Sequence, residues 1–200
     1  MPLNQSEFQR LVTGQVDLIS PGLAFEPSKQ RRVALFPGSF NPLHKGHLRI
    51  AKIAREQFDL DVWYELSVVN VEKKALTWTE LEARMSQNFC AQTSPVMLTH
   101  AATFEEKLTL FPEAVFVVGV DTLVRIDDFR FYRDSKHREQ VLDQFQTRPD
   151  GYRFLVFGRW QSDEFLLEQV KIDDRLRQSC QFVPQSKFDV RISSSEIRTS

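Results

Sequence analysis

Cysteine is scarce: Cys90 and Cys180 are the two in 200 residues, and they do not form a Cys-x-x-Cys pair. That excludes a disulfide-rich scaffold and a cysteine-based zinc or redox motif. Two reduced, partly buried thiols are the expectation; a single disulfide stays open, but nothing requires one. An excess of charge is missing as well. Lys plus Arg number 26 and Asp plus Glu 27, for a net charge of −1. Proteins that coat nucleic acid are normally basic, so that class is disfavoured, whereas a local phosphate site needs only a few donors. Long hydrophobic runs are absent too. The longest, Ala114 to Val118, is far too short to cross a bilayer. The opening MPLNQSEFQRLV has no basic region leading into an apolar stretch, so no secretory signal is read. A soluble, cytoplasmic protein without membrane or nucleic-acid partners is expected, its oligomeric state left open.

What is present is an ordinary globular mixture, 42% hydrophobic and 26% charged. Residues 1–30 carry a short helix over Gln5 to Val12, then the breakers Pro21-Gly22 and Pro27, and read as an N-terminal arm and linker. Residues 31–200 read as one domain. Strands are expected at Val33 to Pro37, Asp61 to Asn70, Val96 to His100, Ala114 to Gly119, Arg153 to Arg159 and Gln181 to Pro184. Between them Leu48, Ala51, Ile53, Ala54 and Phe58 recur with helical spacing. Thr77-x-x-Glu80 and Thr103-x-x-Glu106 are capping boxes that open two further helices. Alternating strands and helices predict an α/β, Rossmann-like fold with a mostly parallel sheet. In such folds ligands bind beyond the carboxyl ends of the strands.

The segment after the first strand, LFPGSFNPLHKGHLRIA, is the richest in chemistry. Pro37-Gly38 turns the chain, and Gly38 leaves its backbone bare for a ligand to approach. His44 and His47 flank Gly46 at a helix entry, where unpaired N–H groups and the helix dipole favour phosphate. Two imidazoles there can donate to phosphate oxygens. The competing reading of a His pair at i, i+3 is a zinc site, but neither His100 nor His137 has ligand-like spacing to it. Near the other end, ISSSEIR places Ser193, Ser194 and Ser195 at the start of a short helix, with Ser193-x-x-Glu196 as a capping box. Arg198 lies four residues after Ser194, on the same helix face. A frayed chain end is the alternative there.

GSFNPLHKGH resembles the HxGH motif of the nucleotidylyltransferase superfamily, and ISSSEIR is similar to its ISSTxxR motif, with Ser195 in place of the usual Thr and the hydroxyl kept. The two motifs stand in the family's order, about 150 residues apart, and the resemblance spans Arg31 to the end. It implies that His44, His47 and Arg198 are catalytic, and that Gly38, Ser39, Phe40, Gly46, Ser193, Ser194 and Ser195 line the nucleotide site. Gly119 and Asp121 in VGVDT match a Gly-x-Asp that family members carry after their fourth strand, where Asp121 would accept from a ribose hydroxyl. Lys73, Lys74 and Arg84 fall where family enzymes bind the acceptor; an exposed, solvated lysine pair is the alternative reading. Trp78 and Trp160 are candidates to stack on a ring, or core residues.

Asn41-Pro42 and VGVDT look most like nicotinamide or nicotinate mononucleotide adenylyltransferases. The resemblance therefore implies adenylyl transfer from ATP to a phosphate-bearing acceptor. Mg²⁺ would be carried by the nucleotide phosphates, with no dedicated metal ligands in the protein. Cytidylyl transfer, another phosphate acceptor, or a nucleotide-binding module without turnover are the alternatives.

Overall fold

Strands alternate with helices in the computed structural model, which describes residues 3–21, 30–72, 74–87, 95–146, 151–161, 164–167 and 169–190. They group into two units, the described residues up to Ala114 and those from Val115 on.

The first unit opens with α1 (Gln5–Val12) and β1 (Leu18–Ile19). Phe8 and Leu11, three residues apart, turn one face of α1 inward and are buried. His100 fixes the end of that helix, with its Nδ1 2.8 Å from the Leu11 carbonyl. So residues 3–21, read above as an arm, pack as part of this unit. β2 (Arg32–Pro37), α2 (Lys45–Phe58) and β3 (Leu60–Ser67) follow. Then come α3 (Trp78–Met85), β4 (Val96–Thr99) and α4 (Phe104–Leu110). β2 runs parallel to β3, with Leu35 opposite Trp63 and Pro37 opposite Glu65. β4 joins β3 in parallel and β1 joins β4 antiparallel, giving the order β1-β4-β3-β2. β3 is buried along most of its length, on both faces, as expected of a covered parallel strand. Both capping boxes form: the Glu80 N–H donates to Thr77 Oγ1 at 3.3 Å and the Glu106 N–H to Thr103 Oγ1 at 3.2 Å.

The second unit holds β5 (Val115–Gly119), α5 (Val120–Asp127), α6 (Ser135–Gln146) and β6 (Phe154–Phe157). A hairpin of β7 (Arg159–Gln161) and β8 (Glu164–Leu166) comes next, then α7 (Asp174–Gln178) and β9 (Cys180–Val183). β5, β6 and β9 are parallel in that order. The expected α/β, Rossmann-like class is thus observed, with parallel strands linked through helices in each unit. The hairpin departs from the single strand expected over Arg153 to Arg159: β6 stops at Phe157, and Arg159 opens β7. Gly158 makes it possible: a Cβ there would lie 2.5 Å from the Phe165 ring, so the hairpin folds back over a position with no side chain.

Cys180 is a free thiol whose Sγ lies 3.0 Å from the Leu176 carbonyl, and burial pushes its pKa up to about 12. It has no thiolate character at neutral pH. Cys90 lies outside the described residues. Among them no helix is long and apolar enough to cross a membrane.

Candidate active site

The loop from Gly38 to His44 joins β2 to α2 at the carboxyl end of the parallel strands. Its first residue extends the ladder, the Gly38 N–H donating to the Glu65 carbonyl at 3.0 Å. Two residues later the chain takes a left-handed turn at Phe40, φ 43°, and drops that ring into the core, 1% exposed. The ring meets Phe36, Tyr64 and His47 edge-on, at centroid distances of 5.6, 5.2 and 5.1 Å. It also covers Gly38, where a Cβ would lie 2.6 Å from a ring carbon. Gly38 is therefore required by Phe40: the space that the sequence suggested for a ligand is filled by an aromatic ring. The Phe40 side chain is thus a core support of the loop rather than a surface it offers to a ligand. The Asn41–Pro42 peptide bond is cis.

The two histidines close the loop onto the helix. His44 is the N-cap of α2 in extended conformation. Its Nδ1 accepts the Gly46 N–H at 3.2 Å, and its own N–H donates to His47 Nδ1 at 3.3 Å. This is a capping box built from imidazoles, with each Nδ1 lone pair occupied by a backbone donor. A ring that accepts at Nδ1 carries its proton on Nε2 in the neutral form, so both rings present an Nε2–H. The two rings stack on each other, centroids 3.8 Å and planes 24° apart. A zinc ion would need lone pairs that these rings have either spent on the backbone or covered with a proton. Among the described residues no group of three or more His, Cys, Asp or Glu side chains is arranged to hold a metal ion.

Burial favours the neutral form of both rings. His47 falls to about 3 from the ordinary 6.5, chiefly through burial and then through repulsion by a charged His44. Burial lowers His44 as well. The stability consequence has a definite sign. Below pH 6.5 the unfolded chain takes up a proton at residue 47 that the folded chain refuses until about pH 3. Stability should therefore fall as pH drops from 6.5 toward 3, and denaturant melts of a His47→Asn variant should show a shallower fall across that window.

Arg84, on α3, lines a pocket of about 330 Å³ with Asn41, Pro42, Glu80, Ala83 and Gln87. Its Nε is buried without a hydrogen-bond partner. Burial lowers its pKa and Glu80 opposes the shift; a guanidinium nonetheless stays charged at neutral pH. So one of the three acceptor candidates stands beside the histidine loop with donor capacity to spare. Lys74 is exposed and Lys73 lies outside the described residues. Trp78 packs on Phe8, centroids 5.6 Å apart, and is a packing residue in this structure. Gln87 was not singled out from the sequence. A glutamine two residues beyond a helix has no pattern to betray it, yet its amide bridges Phe40 and Leu43.

In the second unit Gly119 ends β5 and caps α5 with no side-chain bond. Among the described residues a Cβ there would meet nothing within 4 Å, so they leave the space over this backbone open, unlike that over Gly38. Asp121, two residues on, is exposed and pairs with Arg159. Half-exposed on both sides, that pair contributes little to stability and can yield to a ligand. Trp160 lies edge-on to Phe165 at 5.7 Å and donates from Nε1 to Asp189 at 2.5 Å. Ser193, Ser194, Ser195, Glu196 and Arg198 lie outside the described residues.

Comparison with known proteins adds a second kind of observation. The model of the Cytidylyltransferase-like family matches residues 35–200. A protein of Endomicrobium trichonymphae named probable nicotinate-nucleotide adenylyltransferase is 30% identical over 183 residues, 84% of each chain. One of the same name from Cytophaga hutchinsonii is 52% identical over 138 residues, covering 60% of this chain and 70% of that one. A phosphopantetheine adenylyltransferase of Clostridium novyi is 32% identical over 113 residues, 56% of this chain and 67% of its own.

Proposed function

The chain belongs to the Cytidylyltransferase-like family, and from that premise we propose that it is an adenylyltransferase moving AMP from ATP to the phosphate of nicotinate or nicotinamide mononucleotide. An oxygen of the acceptor phosphate attacks the α-phosphorus of ATP. The bond from that phosphorus to the bridging α,β oxygen breaks, and pyrophosphate leaves. No covalent enzyme intermediate and no proton transfer are required, so catalysis rests on positioning and on donors to oxygens that gain charge.

The observation that supports this reading best is the neutral histidine pair. A transferring phosphoryl group needs fixed donors rather than a proton acceptor, and His44 and His47 carry Nε2–H groups held by backbone bonds to both Nδ1 atoms. The N-terminus of α2 adds its dipole and free N–H groups. The face at Gly119, left open by the described residues, suits a flat nucleoside, with Asp121 accepting from ribose once released by Arg159. Arg84, with Lys73 and Lys74, would take the acceptor phosphate. Ser193, Ser194, Ser195 and Arg198 stand as partners of the triphosphate on the resemblance of ISSSEIR alone. Magnesium enters as part of the substrate: the histidine loop offers N–H donors, which pair with phosphate oxygens rather than with a cation.

Pyrophosphate release tests the reading. ATP with nicotinate or nicotinamide mononucleotide should give the fastest release among acceptors that include 4′-phosphopantetheine and alcohol phosphates. The Clostridium novyi relative makes phosphopantetheine the second candidate. No release with any pair would leave a binding module without turnover. Calorimetric titration should show ATP binding more tightly than CTP or GTP; tighter CTP binding would move the chain to cytidylyl transfer.

A further inference from the structure

Gln87 stands two residues past α3, and every polar atom of its side chain is engaged. Nε2 donates to the Phe40 carbonyl at 2.6 Å and to the Arg84 carbonyl at 3.2 Å. Oε1 accepts the Leu43 N–H at 2.5 Å. The donors and acceptors fix which way the amide points, because a flipped amide would set oxygen against two carbonyls and NH₂ against an N–H. The two loop groups it bridges, Phe40 C=O and Leu43 N–H, bracket Asn41-Pro42, and Leu43 immediately precedes His44. The loop is thus held at three heights: by Glu65 at Gly38, by Gln87 across Phe40 and Leu43, and by the imidazole box at His44.

We propose that Gln87 is a positioning residue for the reaction, a clamp from the end of α3 that sets where His44 enters α2 and hence where both Nε2–H donors point. The inference rests on the function proposed above for its consequence on rate, but not for the geometry. Leu43 N–H is one peptide away from His44 N–H, the donor that holds His47 in its tautomer. If Leu43 loses its acceptor, that second bond loosens with it. The same glutamine carries α3 into the loop. Arg84, one turn earlier and already bonded through its carbonyl, moves with the clamp, so the acceptor side and the histidine side are set by one amide.

The test is Gln87→Met, which keeps length and apolar volume and removes all three bonds, with Gln87→Glu beside it. Glutamate keeps an acceptor for Leu43 but sets a carboxylate against two carbonyls, so it should not rescue. Turnover with ATP and mononucleotide should fall about 10²-fold, the scale of a misplacement near 1 Å, while the ATP dissociation constant changes by less than about threefold. Gln87→Asn, an amide one methylene shorter, should lie between. Nitrogen NMR of the histidine rings gives a readout that a purely structural role would not move. In the native chain both rings should show a bare Nδ1 and a protonated Nε2 at neutral pH. In Gln87→Met the two tautomers should mix, and His47 should begin to protonate at a higher pH than in the native chain. Native tautomers and native turnover in Gln87→Met overturn the proposal, as does lost turnover with unchanged tautomers, which would make the residue a structural support. Should Gln87→Met fail to fold, Gln87→Asn decides on the same two readouts. If the native enzyme transfers nothing to any acceptor, the function above fails, and the ring tautomers alone still confirm or overturn the clamp.

Discussion

His47→Asn lowers turnover about 10²-fold or more and leaves the melting temperature nearly unchanged, whereas His47→Gln keeps more of the rate and melts earlier. The contrast follows from the two nitrogens of the imidazole. Asparagine Oδ1 sits where Nδ1 sits, so it can still accept the His44 N–H that His47 accepts at 3.3 Å. It carries nothing at the Nε2 position, and one preorganised donor to the transition state is lost, typically worth about 10²–10³ in rate. Glutamine reverses the exchange, reaching the Nε2 position with an NH₂ but leaving the cap unmade. A lost N-cap interaction costs about 1 kcal/mol. Alanine would confound the two effects and would also empty the space between Phe36 and Phe40, whose rings lie 6.0 and 5.1 Å from that of His47. Because His47 packs against both rings, the asparagine and glutamine pair is the cleaner measurement. Single-turnover rates with nucleotide and acceptor, and thermal melts of the same samples, decide it. Equal rate losses in both variants would remove the assigned donor.

Lys107→Ala should lower the melting temperature by about 10 °C, the largest stability loss expected outside the apolar core. Glu65, on β3, is 1% exposed in its side chain and Lys107, on α4, is 5% exposed. The ammonium donates to Glu65 Oε1 at 2.9 Å and to the Ala101 carbonyl at 2.6 Å, and the Thr99 hydroxyl donates to the same carboxylate oxygen. Removing the lysine strands a buried carboxylate, a loss of about 3–5 kcal/mol. In a chain of this size 1 kcal/mol shifts the midpoint by about 2–4 °C. Replacing both partners, Glu65→Leu with Lys107→Met, should restore most of the loss, since burying the pair was itself costly. The Ala101 carbonyl and the Thr99 hydroxyl remain unpaired and keep the recovery partial. A double variant no better than Lys107→Ala would show that the contacts to Thr99 and Ala101, rather than charge pairing, hold this region. The ion pair also bears on the site, because Glu65 is the residue whose carbonyl anchors Gly38.

Sequence by itself determined what neighbours along the chain settle. Most of the parallel strands announced themselves as largely apolar runs, since a strand covered on both faces tolerates a polar side chain only where it is paired, as Glu65 is with Lys107. The helix starts at Thr77 and Thr103 were legible because a capping box closes over three residues and needs nothing from the rest of the fold. The place of His44 and His47 at a helix entry was legible for the same reason, both side-chain bonds spanning three residues or fewer. Tertiary structure decided the rest. That Gly38 serves the Phe40 ring depends on a left-handed turn folding that ring inward. Gln87 reaches a loop 44 to 47 residues away and Lys107 a carboxylate 42 residues away. α1 and β1 look like a tail until β4 presents an edge to pair with. Local hydrogen bonds are written in adjacent residues, but such long-range partners exist only once strand register has fixed which distant positions face each other. The histidines show both origins at once: their tautomer follows from local backbone donors, and their neutrality from burial that only the folded loop supplies.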